Sequence, residues 1–155
     1  MGDAAGIGPE IIVKAFAEQP ALTQHCVVMG DVAVMQRACQ ALHDKQLLAR
    51  PMRIQALENL DVFNSTQRNQ KLSSNAQATT GQHLLPVLQI GTPLHADQLP
   101  PWGHISAVAG KMAAESVIWA ANAALRREVA ALVTAPLHKE ALSAAGAPYN
   151  QFPGH

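Results

Sequence analysis

Two short stretches hold the residues best suited to chemistry. The first is GDAAGIGPE, residues 2–10, where Gly2, Gly6 and Gly8 stand just ahead of Pro9 and Glu10. Glycine lets backbone approach a ligand closely, and Pro followed by Glu suits the first turn of a helix. The loop therefore offers unhindered N–H groups at a positive helix end, a place that favours a phosphate or carboxylate. Its spacing, G-xxx-G-x-G, is not the GxGxxG of dinucleotide folds, and the Lys and Ser/Thr of a P-loop are missing. Asp3 either accepts a polar hydrogen of a cofactor or caps the turn, and a ligand loop and a plain tight turn fit the pattern equally. The second stretch is TAPLHK, residues 134–139, in which Thr134, His138 and Lys139 follow an apolar run. A hydroxyl, an imidazole and an ammonium can hold an anionic group. The same three also suit a helix cap, a packed histidine and a solvated lysine. His155 follows Pro153 and Gly154 at the last position. His25, His43, His83, His95 and His104 lack metal-ligand spacing, and no HExxH, CxxC, Ser-His-Asp arrangement or carboxylate pair stands out.

The elements that must position these residues read as follows. A helix starts at Pro9, with Ile11, Ile12, Ala15 and Phe16 at helical spacing, and Pro20 ends it. HCVVMG (25–30) reads as a buried strand closed by Gly30, with Asp31 as the N-cap of the next helix. That helix, DVAVMQRACQALHDK, puts Val32, Met35, Ala38, Cys39 and Leu42 on one face. MRIQAL (52–57) alternates as a second strand. Residues 61–82 are polar and turn-rich and are expected to form a surface loop or insertion. LLPVLQI (84–90) reads as a strand that Pro86 confines to a sheet edge. A long alanine-rich helix is expected from about Ile105 to Arg127. VAALVTA (129–135) is the most apolar strand candidate, as a strand covered on both faces should be. PLHKEALSAAG (136–146) reads as a short helix opened by Pro136 and stopped by Gly146. Alternating strands and helices predict an α/β fold, three layers deep with a largely parallel sheet. Ligands of such sheets bind beyond the carboxyl ends of the strands, where both the glycine loop and TAPLHK are expected.

Composition narrows the function classes. The 155 residues carry 11 Lys plus Arg and 11 Asp plus Glu, so the net charge is zero and no basic stripe suggests nucleic acid or an anionic membrane surface. No run approaches the ~18 apolar residues of a membrane span, and no secretory signal pattern opens the sequence. Cys26 and Cys39 are too few for a disulfide framework and read as two buried, reduced thiols of a cytoplasmic protein.

Three stretches in order, MGDAAGIGPEI, ALVTAPLHKEAL and AGAPYNQFPGH, resemble the 4-hydroxythreonine-4-phosphate dehydrogenase family of vitamin B6 biosynthesis. The opening is also similar to the GDGIGPE loop of isocitrate and isopropylmalate dehydrogenases, whose fold the family shares in outline. The resemblance implies oxidation of the secondary alcohol of a phosphorylated hydroxy acid by NAD or NADP, followed by loss of carbon dioxide. It implies a divalent metal (Zn, Mg or Co) that polarises the alcohol oxygen, held by residues beyond the end of this chain. TAPLHKEAL is similar to the branch that acts on threonate or erythronate 4-phosphate. Carried over residue by residue, His155 matches a substrate-contacting histidine, while Thr134, His138 and Lys139 match a motif lining the same cleft. Asp3, Gly6 and Gly8 fall in a segment beside that cleft and are the expected cofactor contacts. A homodimer whose sites draw on both subunits is implied as well. Three departures from the family pattern stand out. Ala4 replaces a usual proline, YNQFPGH is longer than the usual YPGH, and members are about twice as long as these 155 residues, which would make the chain their first half. The chain is therefore expected to be the N-terminal portion of such an enzyme, starting inside its first strand-to-loop segment and inactive alone. The alternative is a truncated homologue acting as a non-catalytic binding or oligomerisation module.

Overall fold

A computed structural model of the chain describes residues 1–72 and 83–146. Ten elements follow in order: α1 (Gly8–Glu18), α2 (Pro20–Thr23), β1 (Val28–Gly30), α3 (Val32–Asp44), β2 (Met52–Leu57), α4 (Leu60–Leu72), β3 (His83–Gln89), a 3-10 turn (Ala96–Gln98), α5 (Ala107–Leu125) and α6 (Lys139–Ala144). The described strands form one parallel sheet in the order β1-β3-β2, which confirms the α/β class.

Helices cover both faces of this sheet. Alternation along β3 sends Leu85 and Val87 to one side, where Val13 of α1 and Met35, Ala38, Cys39 and Leu42 of α3 close the main core. Leu88 points the other way, against Phe63 of α4 and Trp119 of α5. A third cluster ties the glycine loop into the fold, since Ala4 and Ala5 pack with Val34 and Ala109. Asp31 caps α3 as expected, accepting from the N–H groups of Ala33 (2.9 Å) and Val34 (3.1 Å). Ser106 caps α5 in the same way, through the N–H of Ala109.

Five expectations are corrected. Of the two thiols expected to be buried only Cys39 is, and Cys26 is exposed. β3 is the central strand despite Pro86, not an edge. Its ladder with β1 begins at Val87, one residue past the proline, and in a parallel pair only every second residue bonds a given neighbour. The missing N–H thus removes no bond on the β1 side. Residues 61–72 are not a loop but most of α4, started by Asn59, whose Oδ1 accepts from the N–H of Val62 at 3.0 Å. The rest of that expected loop, 73–82, lies outside the described residues. VAALVTA is no strand: the segment between α5 and α6 is irregular, and Val133 is 91% exposed. A strand needs a neighbour to bond, and VAALVTA pairs with none of the described strands. Finally, α6 begins at Lys139 rather than Pro136, with His138 as its N-cap; Gly146, at φ 71°, follows its C-cap as expected.

Candidate functional site

The glycine loop and TAPLHK meet. The N–H of Asp3 donates to the carbonyl of Pro136 at 3.0 Å. Gly2 has φ +79°, and a Cβ there would lie 2.7 Å from the same carbonyl, so both its conformation and its space demand glycine. At Gly8 a Cβ would come within 3.0 Å of the Met1 carbonyl and 3.4 Å of the Ala135 methyl. Met1 packs on Gly30, the last residue of β1. The loop therefore opens at the carboxyl end of the sheet, where a parallel α/β fold places its ligands.

Within the loop Asp3 closes the turn. It is 8% exposed, its Oδ1 accepts from the N–H of Ala5 at 3.0 Å, and its carbonyl accepts from the N–H of Gly6 at 3.2 Å. A Cβ on Gly6 would sit 3.2 Å from the second carboxylate oxygen. Helix α1 then starts with Ile7 at the N-cap, whose side chain makes no capping bond, and Pro9 in its first turn. The positive end of an eleven-residue helix is thus left without a side-chain acceptor beside Gly6 and Gly8.

On the other side, Ala135 and Pro136 make the contact with the loop, and Thr134, His138 and Lys139 flank it. Thr134 is exposed. His138 is exposed and caps α6, its Nδ1 accepting from the N–H of Ala141 at 3.4 Å. Lys139 is exposed in the first turn of that helix. Helix α6 itself lies so close to α5 that Gly110 has no room for a Cβ against the Ala141 carbonyl. His155 lies outside the described residues. Among the described residues no three His, Cys, Asp or Glu side chains come together as a metal site would require.

Three supports of the site are not legible in the sequence as such. Arg37 of α3 donates to the carbonyls of Ala4 (2.8 Å) and Pro100 (2.7 Å), and its guanidinium stacks 4.7 Å from the Trp102 ring. Burial lowers its pKa. Gly103 adds a backbone bond to the Ala5 carbonyl at 2.8 Å, so the loop before α5 is tied to the glycine loop. Asp31 does more than cap: its Oδ2 accepts from Gln89 Nε2 (2.9 Å) and from the N–H of Leu94 (3.0 Å), joining the carboxyl ends of β1 and β3. No short-range signal marks these contacts, because their partners are 33 to 98 residues apart.

Residues 22–155 match the family model described as pyridoxal phosphate biosynthetic protein PdxA. The chain belongs to the PdxA family. Among curated PdxA relatives, a 4-hydroxythreonine-4-phosphate dehydrogenase of Beijerinckia indica is 34% identical over the whole chain. A D-threonate 4-phosphate dehydrogenase of Salmonella typhimurium is 36% identical over the same span. The chain covers 38% of the first and 40% of the second, so it spans about two fifths of the length of these relatives. A solved 4-hydroxythreonine-4-phosphate dehydrogenase from Burkholderia phymatum superposes on the entire chain with a TM-score of 0.71 at 30% identity, over 39% of its own length. No described helix is long and apolar enough to cross a membrane.

Proposed function

We propose that residues 1–155 are the N-terminal portion of an NAD- or NADP-dependent dehydrogenase that oxidises a 4-phosphorylated hydroxy acid, with decarboxylation. The contact between the glycine loop and TAPLHK at the carboxyl end of the sheet carries this reading, because it joins the two anion-suited motifs in one cleft wall. Gly6 and Gly8, beside the uncapped start of α1, suit a cofactor phosphate. Asp3 serves by holding that turn. Thr134, His138 and Lys139 are the proposed substrate contacts, suited by charge and hydrogen bonding to a phosphate and a carboxylate, and the family resemblance adds His155 to them. Both 4-hydroxythreonine 4-phosphate and threonate 4-phosphate belong to the substrate class, as relatives of both names match with near-equal identity. No three His, Cys, Asp or Glu side chains gather among the described residues, so the ligands of the divalent metal belong to the remaining length of the proposed enzyme. A cytoplasmic homodimer completes the proposal.

The test is NAD(P) reduction, followed at 340 nm, by a protein containing these residues together with the remaining length its relatives have. Turnover is expected with one of a panel of 4-phosphorylated hydroxy acids plus Zn, Mg or Co. Failure across the panel overturns the reading. The 155-residue chain by itself is expected to show no turnover.

A further inference from the structure

Two successive peptide units of the glycine loop are gripped at both ends. Asp3 to Gly6 form a tight turn, closed by the N–H of Gly6 on the Asp3 carbonyl at 3.2 Å, with Ala4 and Ala5 as its central residues. The unit joining Ala4 to Ala5 has its carbonyl on Arg37 Nη2 (2.8 Å) and its N–H on Asp3 Oδ1 (3.0 Å). The unit joining Ala5 to Gly6 has its carbonyl on the N–H of Gly103 (2.8 Å) and its N–H on the Asp3 carbonyl. The next N–H groups, those of Ile7 and Gly8 at the start of α1, bond no acceptor among the described residues. The orientation of the gripped units therefore sets where these two donors stand.

Arg37 is a costly choice for packing alone. Its Nε is buried without an acceptor, and among the described residues no carboxylate pairs with its charge. A guanidinium that gives up water without a counter-charge weakens the fold, and a methionine of similar length fills the space without that cost. What methionine cannot do is bridge two carbonyls. Nη2 holds Ala4 while Nη1 holds Pro100 at 2.7 Å, and the Trp102 ring lies 4.7 Å from the guanidinium. We propose that Arg37 is a positioning residue for cofactor binding. Through the Ala4 carbonyl it fixes the turn that leads into α1, and so keeps the N–H groups of Ile7 and Gly8 placed for a dinucleotide phosphate. It acts through the backbone and does not touch the cofactor itself. The proposal rests on the dinucleotide reading given above.

The test uses the longer enzyme, these residues together with the remaining length its relatives have. Arg37→Met keeps the stem of the side chain and removes both bonds. It is expected to raise KM for NAD(P) about tenfold, the size of one lost charge-assisted hydrogen bond, with kcat kept within about twofold. Arg37→Lys keeps the charge without the fork, so its KM should stay raised. In the ligand-free protein the amides of Ala5 and Gly6 should exchange about tenfold faster in both variants, while β3 stays as protected as before. A lysine variant with the unaltered KM overturns the proposal, because charge alone then suffices. So does a loss of kcat at constant KM. Exchange that is unchanged at Ala5 and Gly6, or that quickens equally in β3, overturns it as well and leaves Arg37 a packing residue. An unaltered enzyme that neither binds nor reduces NAD(P) fails the dinucleotide reading itself; the exchange result needs no ligand and still decides whether Arg37 holds the loop.

Discussion

At the scale of single residues, the site depends on groups with several partners. Asp31 is 1% exposed and accepts four hydrogen bonds, two from the start of α3 and two from the far end of β3 and the loop beyond. Replacing it removes a helix cap and strands buried donors at once. Asp31→Ala is expected to cost about 3 kcal/mol, read as a lower urea midpoint with unchanged slope. Asp31→Asn should cost less, because one oxygen still caps α3 while the amide faces Gln89 and the Leu94 N–H without accepting. The capping half of this role follows from Asp after a Val-rich run and before a helical pattern. The bridging half does not, since Gln89 and Leu94 are 58 and 63 residues away. Arg37 is the same case: nothing local in QRAC announces that its guanidinium holds the glycine loop.

At the scale of elements, hydropathy reports burial better than it reports pairing. MRIQAL and the helix from Val32 were legible because their periods, two and 3.6, are intrinsic to the segment. VAALVTA was read as a strand from its apolar content, yet a strand exists only where a neighbour accepts its bonds, and the described sheet offers it none. Pro86 misled in the opposite sense, because its cost depends on which residues the neighbouring ladder uses. Polar residues hide α4, which the buried Phe63, with Leu60 beside it, seats on Leu57 and Leu88. The α5–α6 pair rests on Gly110, where α6 backbone occupies the position of a Cβ. Gly110→Ala cannot be absorbed by a side-chain shift, so a loss at the upper end of the roughly 1–3 kcal/mol of overpacking is expected. Amide exchange should localise the damage to 138–146, leaving β2 and β3 protected. His138 and Lys139, the proposed substrate contacts, sit at the start of α6, so on that proposal this variant should also weaken substrate binding in the longer protein.

At the scale of the whole molecule, one buried charge couples stability to pH. The α-amine of Met1 is enclosed between the glycine loop and β1, and burial lowers its pKa from 8.0 to about 6. A base with a depressed folded pKa binds its proton more readily when unfolded. The unfolded chain therefore holds more protons between pH 6 and 8, and stability rises with pH across that window. Its contribution is complete above about pH 8 and is lost as pH falls to about 6, a change of roughly 2.7 kcal/mol at 1.36 kcal/mol per pH unit. Urea unfolding between pH 5.5 and 8.5 measures it. Acetylating the amine removes the titration, so the slope attributable to it should vanish in the acetylated chain. A slope that persists in the acetylated chain would assign the pH dependence to another group and break the link between the sheet edge and the Met1 amine.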